Sequence, residues 1–459
     1  MEGVLRGPWP VRAYVRDCVS KSVPGTGRPA PAPFRPYAPG GAAAAEPPPG
    51  PVRVRACRGR RSRRPGGGGR RGRHGRRART RVRPGPVARY PSRSARFRPV
   101  SGTRCRHRGE GPGFAKYTQP CGEWEAGVVV EQLPEGLVTP VLVVDADVLD
   151  RNIARMAQAA RTGGFALRPH AKSHKCAEIA GRQLRAGAVG LSVATLSEAE
   201  ALAAAGVDDL FVAYPLWLDA GKARRLHRLA DKVALRVGAD SAQAVRRLAD
   251  AVRGSDRRVE VLVEVDCGAG RTGVPAADAG RVAEAAAEAG LLVVGAFTFP
   301  GQGYDHDPGA RERAARDEER ALAEAAESLR ERGLRAEVLS GGSTPTAAHR
   351  RPGPVGELRP GVYVFNDAQQ LAIGTCTADD LALCVATTVI SRPAPGRLVL
   401  DAGSKVLGSD RSPWVTGHGY LPRYPDAVVT ALWEHHAVVR LPEGVPAPAL
   451  GSVLALVPH

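Results

Sequence analysis

From about residue 165 the sequence alternates short apolar runs with Ala/Leu/Glu/Arg-rich stretches. The runs are FALRPH (165–170), GLSVA (190–194), DLFVAY (209–214), VALRVG (233–238), VEVLVEVD (259–266), LLVVGAFTF (291–299), AEVLSGG (336–342) and GVYVF (361–365). Each has the length of a buried strand, and the stretches at 196–205, 217–231, 275–289 and 309–332 are long enough for helices. Strands separated by helical crossovers pair in parallel. About eight such units over roughly 200 residues is the count and size of a (β/α)₈ barrel of the TIM type. An open doubly wound sheet is the rival, but no Gly-x-Gly-x-x-Gly turn follows any of these strands.

The flanks differ. PVLVVDAD (140–147) predicts a strand, and Leu149, Ile153, Met156 and Ala160 then fall on one helical face, with Asp147 placed to cap it. From 376 onward the chain reads as short strands with Pro/Gly turns and almost no helix. The expected organisation is therefore a disordered extension over 1–115, an α/β barrel over 135–375 and an all-β domain over 376–459. The strand near 140–144 is a candidate to pair with the β domain instead of the barrel.

Composition bears on the extension. Residues 1–115 hold 27 Arg and one Lys against four acidic residues, a charge of +24, so the rest of the chain carries −4 of the total +20. Pro and Gly interrupt every candidate element in this stretch, and it cannot bury enough apolar surface to offset chain entropy. A basic arm for nucleic acid is one reading. Another is a start assigned upstream of the true one, because Arg, Gly, Pro and Ala have GC-rich codons. No run approaches the length of a membrane span, and the eight Cys form no CxxC pair. A reduced, cytoplasmic enzyme is the expectation.

In a barrel, residues just past the C-terminal strand ends face the active site. After the first strand comes Arg168-Pro169-His170-Ala171-Lys172-Ser173-His174-Lys175. A Lys in a partly desolvated barrel mouth has a lowered pKa and can form a Schiff base; the plain alternative is a solvated basic loop. After the fifth strand, Asp266-Cys267-Gly268-Ala269-Gly270-Arg271 offers close backbone approach and a cationic donor, or a simple turn. After the seventh, Ser340-Gly341-Gly342-Ser343-Thr344 exposes small residues where a short helix begins, which suits a phosphate. Tyr363 is expected at the same end. A reactive Lys facing a phosphate cup suggests a phosphorylated aldehyde cofactor, pyridoxal phosphate.

TPVLVVDADVLDRNIARM, RPHAKSHK, EVDCGAGRTGV, SGGSTPT, RPGVYVFND and DAGSK together resemble the D-threonine aldolase and D-serine dehydratase family, of the alanine-racemase-like, fold-type III pyridoxal phosphate proteins. The resemblance runs from about Thr139 to the end. It implies that Lys172 forms the internal aldimine, with Lys175 the lesser candidate. It implies that Arg271 lies near the cofactor's phenolic oxygen, and that Gly341, Gly342, Ser343 and Thr344 form the phosphate cup with Tyr363 adjoining. The family also carries a divalent metal of the Zn, Mn or Mg class in its β domain, within a Pro-Asn-His-x-Cys or Pro-Asn-His-x-Asp motif. His459 falls at that motif, as the ligand itself or at the Asn position before it, and the expectation is an incomplete metal site. His435, in Trp433-Glu434-His435-His436, matches a Glu-His motif at the site edge, as acid/base, metal neighbour or packed side chain.

The implied activity is a pyridoxal phosphate lyase acting on D-β-hydroxy amino acids, of the aldolase or the dehydratase type, with a homodimer as the implied assembly. A non-catalytic or metal-deficient pyridoxal phosphate-binding protein and an amino acid racemase are the alternatives.

Overall fold

Local signals set most element boundaries in this computed structural model, which describes residues 3–6, 12–16 and 133–459. The extension 1–115 lies outside the described residues except for β1 (Gly3–Arg6) and β2 (Arg12–Arg16). Each carries a short β-prone run, and β2 runs parallel to β3 (Val141–Asp145).

β3 leads directly into α1 (Ala146–Gly163). Its cap is Asp145, not the expected Asp147: the Asp145 carboxylate accepts the Val148 N–H at 2.8 Å, which satisfies one of the free donors of the first turn. Leu149, Ile153 and Ala160 are buried along one face of α1, and Gly164 ends it at φ +74°, a conformation suited to glycine.

Eight parallel strands follow: β4 (Ala166–Leu167), β5 (Leu191–Val193), β6 (Asp209–Val212), β7 (Ala234–Ala239), β8 (Glu260–Glu264), β9 (Leu292–Phe297), β10 (Val338–Gly341) and β11 (Glu357–Leu358). Their hydrogen-bonded order is β4-β11-β10-β9-β8-β7-β6-β5. A parallel bridge between His170 and Ser192 joins the two ends, so the sheet closes into the expected barrel. Helices α2 (Ala177–Arg185), α3 (Leu196–Ala204), α4 (Ala220–Ala230), α5 (Ala242–Val252), α6 (Ala279–Glu288) and α7 (Ala310–Arg330) alternate with the strands. One correction concerns the last unit. GVYVF forms a 3₁₀ turn at Val362–Val364, and the eighth strand is the two-residue β11 before it. Pro360 has no N–H to donate, although its C=O still accepts the His170 N–H at 3.0 Å.

The barrel has two layers of packing. Leu210 and Val212 of β6 belong to the large core shared with the helices, while Phe211 between them faces the barrel axis. There it meets Leu262, Val294 and Phe297. The Phe211 and Phe297 rings meet edge to face, with centroids 5.0 Å apart. An ionic layer joins four strands. Arg168 Nε donates to Glu357 Oε2 at 2.7 Å, its Nη1 to Asp209 Oδ1 at 2.5 Å, and Arg236 Nη1 reaches Glu357 Oε2 at 3.2 Å.

Two short helices, α8 (Thr344–Ala347) and α9 (Ala368–Ala372), complete the barrel mouth. Beyond them, β12 (Leu383–Ala394), β13 (Arg397–Leu400), β14 (Val428–Leu432), β15 (Ala437–Arg440) and β16 (Val453–Leu456) form an antiparallel sheet in the order β12-β13-β15-β14, with β16 on β12. β3 pairs with β12 from Val144↔Leu383 to Val141↔Ala386, so the strand before α1 belongs to this sheet and not to the barrel. No helix among the described residues is long and apolar enough to cross a membrane.

Candidate active site

The loops after the barrel strands surround a cavity of about 740 Å³, lined among others by His170, Lys172, Glu264, Arg271, Ser343, Arg359, Asp367 and His459. Lys172 sits on a 3₁₀ turn, Ala171–Ser173, immediately after β4. The turn is capped by His170, whose Nδ1 accepts the Lys172 N–H at 3.3 Å. The Lys172 side chain is accessible through the open cavity, yet protein surrounds it on most sides. Burial lowers its pKa from the ordinary 10.5, and the positive charge of Arg271 acts in the same direction, against Glu198. Its Nζ lies 5.4 Å from the centre of the Phe299 ring, and the Arg271 guanidinium lies 5.1 Å from the same centre. Lys175 instead pairs with Glu198 at 3.1 Å.

Arg271 is delivered by a loop that the sequence shapes tightly. The Asp266 carboxylate accepts N–H groups from Gly268 at 2.9 Å and Gly270 at 3.1 Å, and Gly270 adopts φ +64°. On the opposite wall, Gly342 and Ser343 line the cavity, with Ser343 capping α8. Gly341 and Thr344 lie behind that surface. Tyr363 does too: its N–H donates to Thr344 Oγ1 at 3.2 Å and its hydroxyl accepts from Gln183 Nε2 at 3.0 Å.

Those contacts tie the lysine turn to the Gly-rich loop. His174 Nδ1 accepts the Cys176 N–H at 3.1 Å, and its Nε2 meets Gln183 Oε1 at 3.2 Å. An acceptor at Nδ1 requires the proton on Nε2, so His174 donates to Gln183, and Gln183 donates to Tyr363. Burial lowers the His174 pKa to about 4, which keeps this neutral tautomer in place. His170 is likewise pushed well below 6.5, by burial first and then by Lys172.

Sequence reasoning missed three cavity residues. Glu264 ends β8, its Oε1 accepts from Thr272 Oγ1 at 2.8 Å, and its buried Oε2 has no hydrogen-bond partner among the described residues. Burial raises its pKa, opposed by the Thr272 hydrogen bond and Arg271. An acid at the C-terminal end of an apolar strand was the available signal. Arg359 is buried, donates to Ser340 Oγ at 2.5 Å and Thr298 O at 2.6 Å, and has its pKa pulled down by burial to about 10. Asp367 caps α9 and is pushed up by burial to about 6.

The expected metal residues fare differently. His459 lines the cavity, and neither of its ring nitrogens has a hydrogen-bond partner among the described residues. Burial lowers its pKa, with His418 acting in the same direction and the Gly417 backbone opposing. No three His, Cys, Asp or Glu side chains converge on a common point among the described residues. A single imidazole does not make a metal site, so no step is assigned to a metal. His435 is exposed on the turn between β14 and β15 and does not line the cavity. The Glu-His pattern placed it at the site edge; the tight β14–β15 hairpin turns it to solvent.

The chain matches the family described as "Alanine racemase, N-terminal domain" over residues 144–369 and that described as "Putative serine dehydratase domain" over residues 382–459. It is 38% identical over 288 residues to D-threo-3-hydroxyaspartate dehydratase of Delftia sp. (strain HT23), covering 60% of this chain and 74% of that one. It is 36% identical over 330 residues to D-threonine aldolase of Arthrobacter sp, covering 70% and 84%. The solved structure of the Delftia dehydratase superposes with a TM-score of 0.64 at 34% identity, over 70% of this chain and 90% of that one.

Proposed function

Because the chain belongs to the fold-type III pyridoxal phosphate family that joins an alanine-racemase-type barrel to a serine-dehydratase-type β domain, we propose that it is a lyase acting on a D-β-hydroxy amino acid. The observation that carries this reading is a lysine of lowered pKa that shares one cavity with Gly342 and Ser343 of the Gly-rich loop. The donor set fits pyridoxal phosphate. Lys172 would hold the aldehyde carbon, Ser343 the phosphate, and Arg271 the ring's phenolic oxygen. The cofactor, when bound, supplies an electron sink for the pair left on the substrate Cα.

The protein's own groups account for the rest. A lowered pKa raises the fraction of neutral Lys172, so its Nζ can accept a proton near neutral pH. His170 and His174 stay neutral beside it and add no repulsive charge. Arg359 and Arg271 make the cavity attractive to a carboxylate. Phe297 and Phe299 wall off water from one side.

An aldolase would break Cα–Cβ to give glycine and an aldehyde; a dehydratase would eliminate water to give an enamine, whose imine form takes water up again to yield an oxo acid and ammonia. The test is to load the purified chain with pyridoxal phosphate and supply D-threonine or D-threo-3-hydroxyaspartate, with and without Mn²⁺ or Zn²⁺. Glycine or ammonia formation supports the lyase reading. Absence of both products under all conditions overturns it.

A further inference from the structure

Directly behind the Gly-rich loop lies a fully buried carboxylate. Glu318, on α7, has no exposed surface and accepts the Gly342 N–H. Its charge is balanced by Arg350, buried to a similar degree, which pairs with it and donates to Ala315 O at 3.3 Å. A buried acid behind an anion-binding loop opposes the anion, so its presence there needs a geometric reason.

The geometry supplies one. Gly341 C=O and Gly342 N–H belong to a single peptide plane. The carbonyl accepts the Arg359 N–H at 2.7 Å, and the N–H points the opposite way, to Glu318. The plane is therefore clamped at both ends. A Cβ on residue 341 would lie 1.8 Å from Glu318 Oε1, so the same carboxylate excludes any side chain there. The Ser343 N–H is held by Thr346 Oγ1 at 3.0 Å. Two N–H groups of the loop are thus used internally, and their effect is to present Ser343 to the cavity in one orientation.

We propose that Glu318 is the positioning residue that locks the Gly341–Gly342 peptide and thereby sets the protein's affinity for the cofactor's phosphate group. Arg350 is its neutralising partner. The proposal rests on the pyridoxal phosphate reading, and its ligand chemistry is a phosphate ester.

The test compares binding of pyridoxal phosphate and of pyridoxal, which lacks the phosphate, by equilibrium absorbance titration of the full chain. Glu318→Gln/Arg350→Met keeps an acceptor for Gly342 and leaves no unpaired charge. Glu318→Leu/Arg350→Met differs only in lacking the acceptor. The Gln pair is expected to hold pyridoxal phosphate within about threefold of wild type. The Leu pair is expected to lose roughly tenfold or more, the effect of one hydrogen bond to a preorganised loop, with pyridoxal affinity equal in both. Gly341→Ala is expected to lose phosphate discrimination in the same way. A Leu pair that keeps the wild-type ratio of the two affinities, or that loses both ligands equally, overturns the Glu318 assignment alone. Failure of wild-type protein to bind pyridoxal phosphate overturns the cofactor reading as well.

Discussion

Glu357→Gln tests the ionic layer inside the barrel. Glu357 is 4% exposed. Its Oε2 accepts from Arg168 at 2.7 Å and Arg236 at 3.2 Å, and its Oε1 accepts from Ser340 Oγ at 2.5 Å. Gln keeps the shape and one acceptor but removes the charge, leaving Arg168 with only the partly exposed Asp209. Removing one partner of a buried ion pair costs about 3–5 kcal/mol. With an unfolding entropy of roughly 2.1 cal/mol/K per residue over a body of about 330 residues, 1 kcal/mol moves Tm by ~1.5 °C. The expected loss is therefore about 4–7 °C by differential scanning calorimetry at pH 7. The pH dependence gives a second check. Burial alone would raise the Glu357 pKa, but the Arg168 charge and hydrogen bonds outweigh it and hold the group below 4.5. A depressed carboxylate contributes its stability above its unfolded pKa and loses it as pH falls through the folded value. The gap between wild type and Glu357→Gln should be constant from pH 6 to 8 and close as the solution becomes more acidic than the ordinary carboxylate range. A Tm shift under 1 °C, or a gap that widens in acid, would refute the electrostatic account.

Lys172→Ala is expected to lose borohydride-trapped attachment of pyridoxal phosphate, read by mass spectrometry of the peptide; trapping at Lys175 in its place would move the assignment. Because burial and Arg271 lower the Lys172 pKa, the rate of that attachment should rise with pH to a midpoint below 10.5, and Arg271→Met should shift the midpoint upward. Asp145→Ala removes the α1 cap and should cost about 1 kcal/mol in urea unfolding.

Much of this architecture was legible in the chain. The barrel followed from periodicity, because strands buried on both faces must read as continuous apolar runs. That Lys172, Arg271, Gly342 and Ser343 line one cavity was legible because residues just past the strand ends face the barrel mouth. GVYVF misled because Tyr363, Val364 and Phe365 are buried as a turn as well as they would be as a strand. Asp145 and Asp147 both suit a cap, and only the exact start of α1 separates them. His435 carried a motif but no information about hairpin direction. Glu318 and Arg350 left no local trace at all: they lie on a helix and a loop 32 positions apart, and their pairing exists only once the barrel has closed.

The pairing of β3 with β12 has a consequence for biosynthesis. Val141 and Val143 leave the ribosome early, and their partners at Ala386 and Cys384 follow only about 240 residues later. At 5–20 residues per second that is a wait of roughly 12–50 s. Throughout it the strand has an unsatisfied edge and an apolar surface, at the start of a barrel that is itself incomplete. A nascent chain in that condition is a natural client for a holdase such as a ribosome-associated chaperone. Yield in the cell should therefore respond to translation speed and chaperone supply more than to the stability of the finished protein.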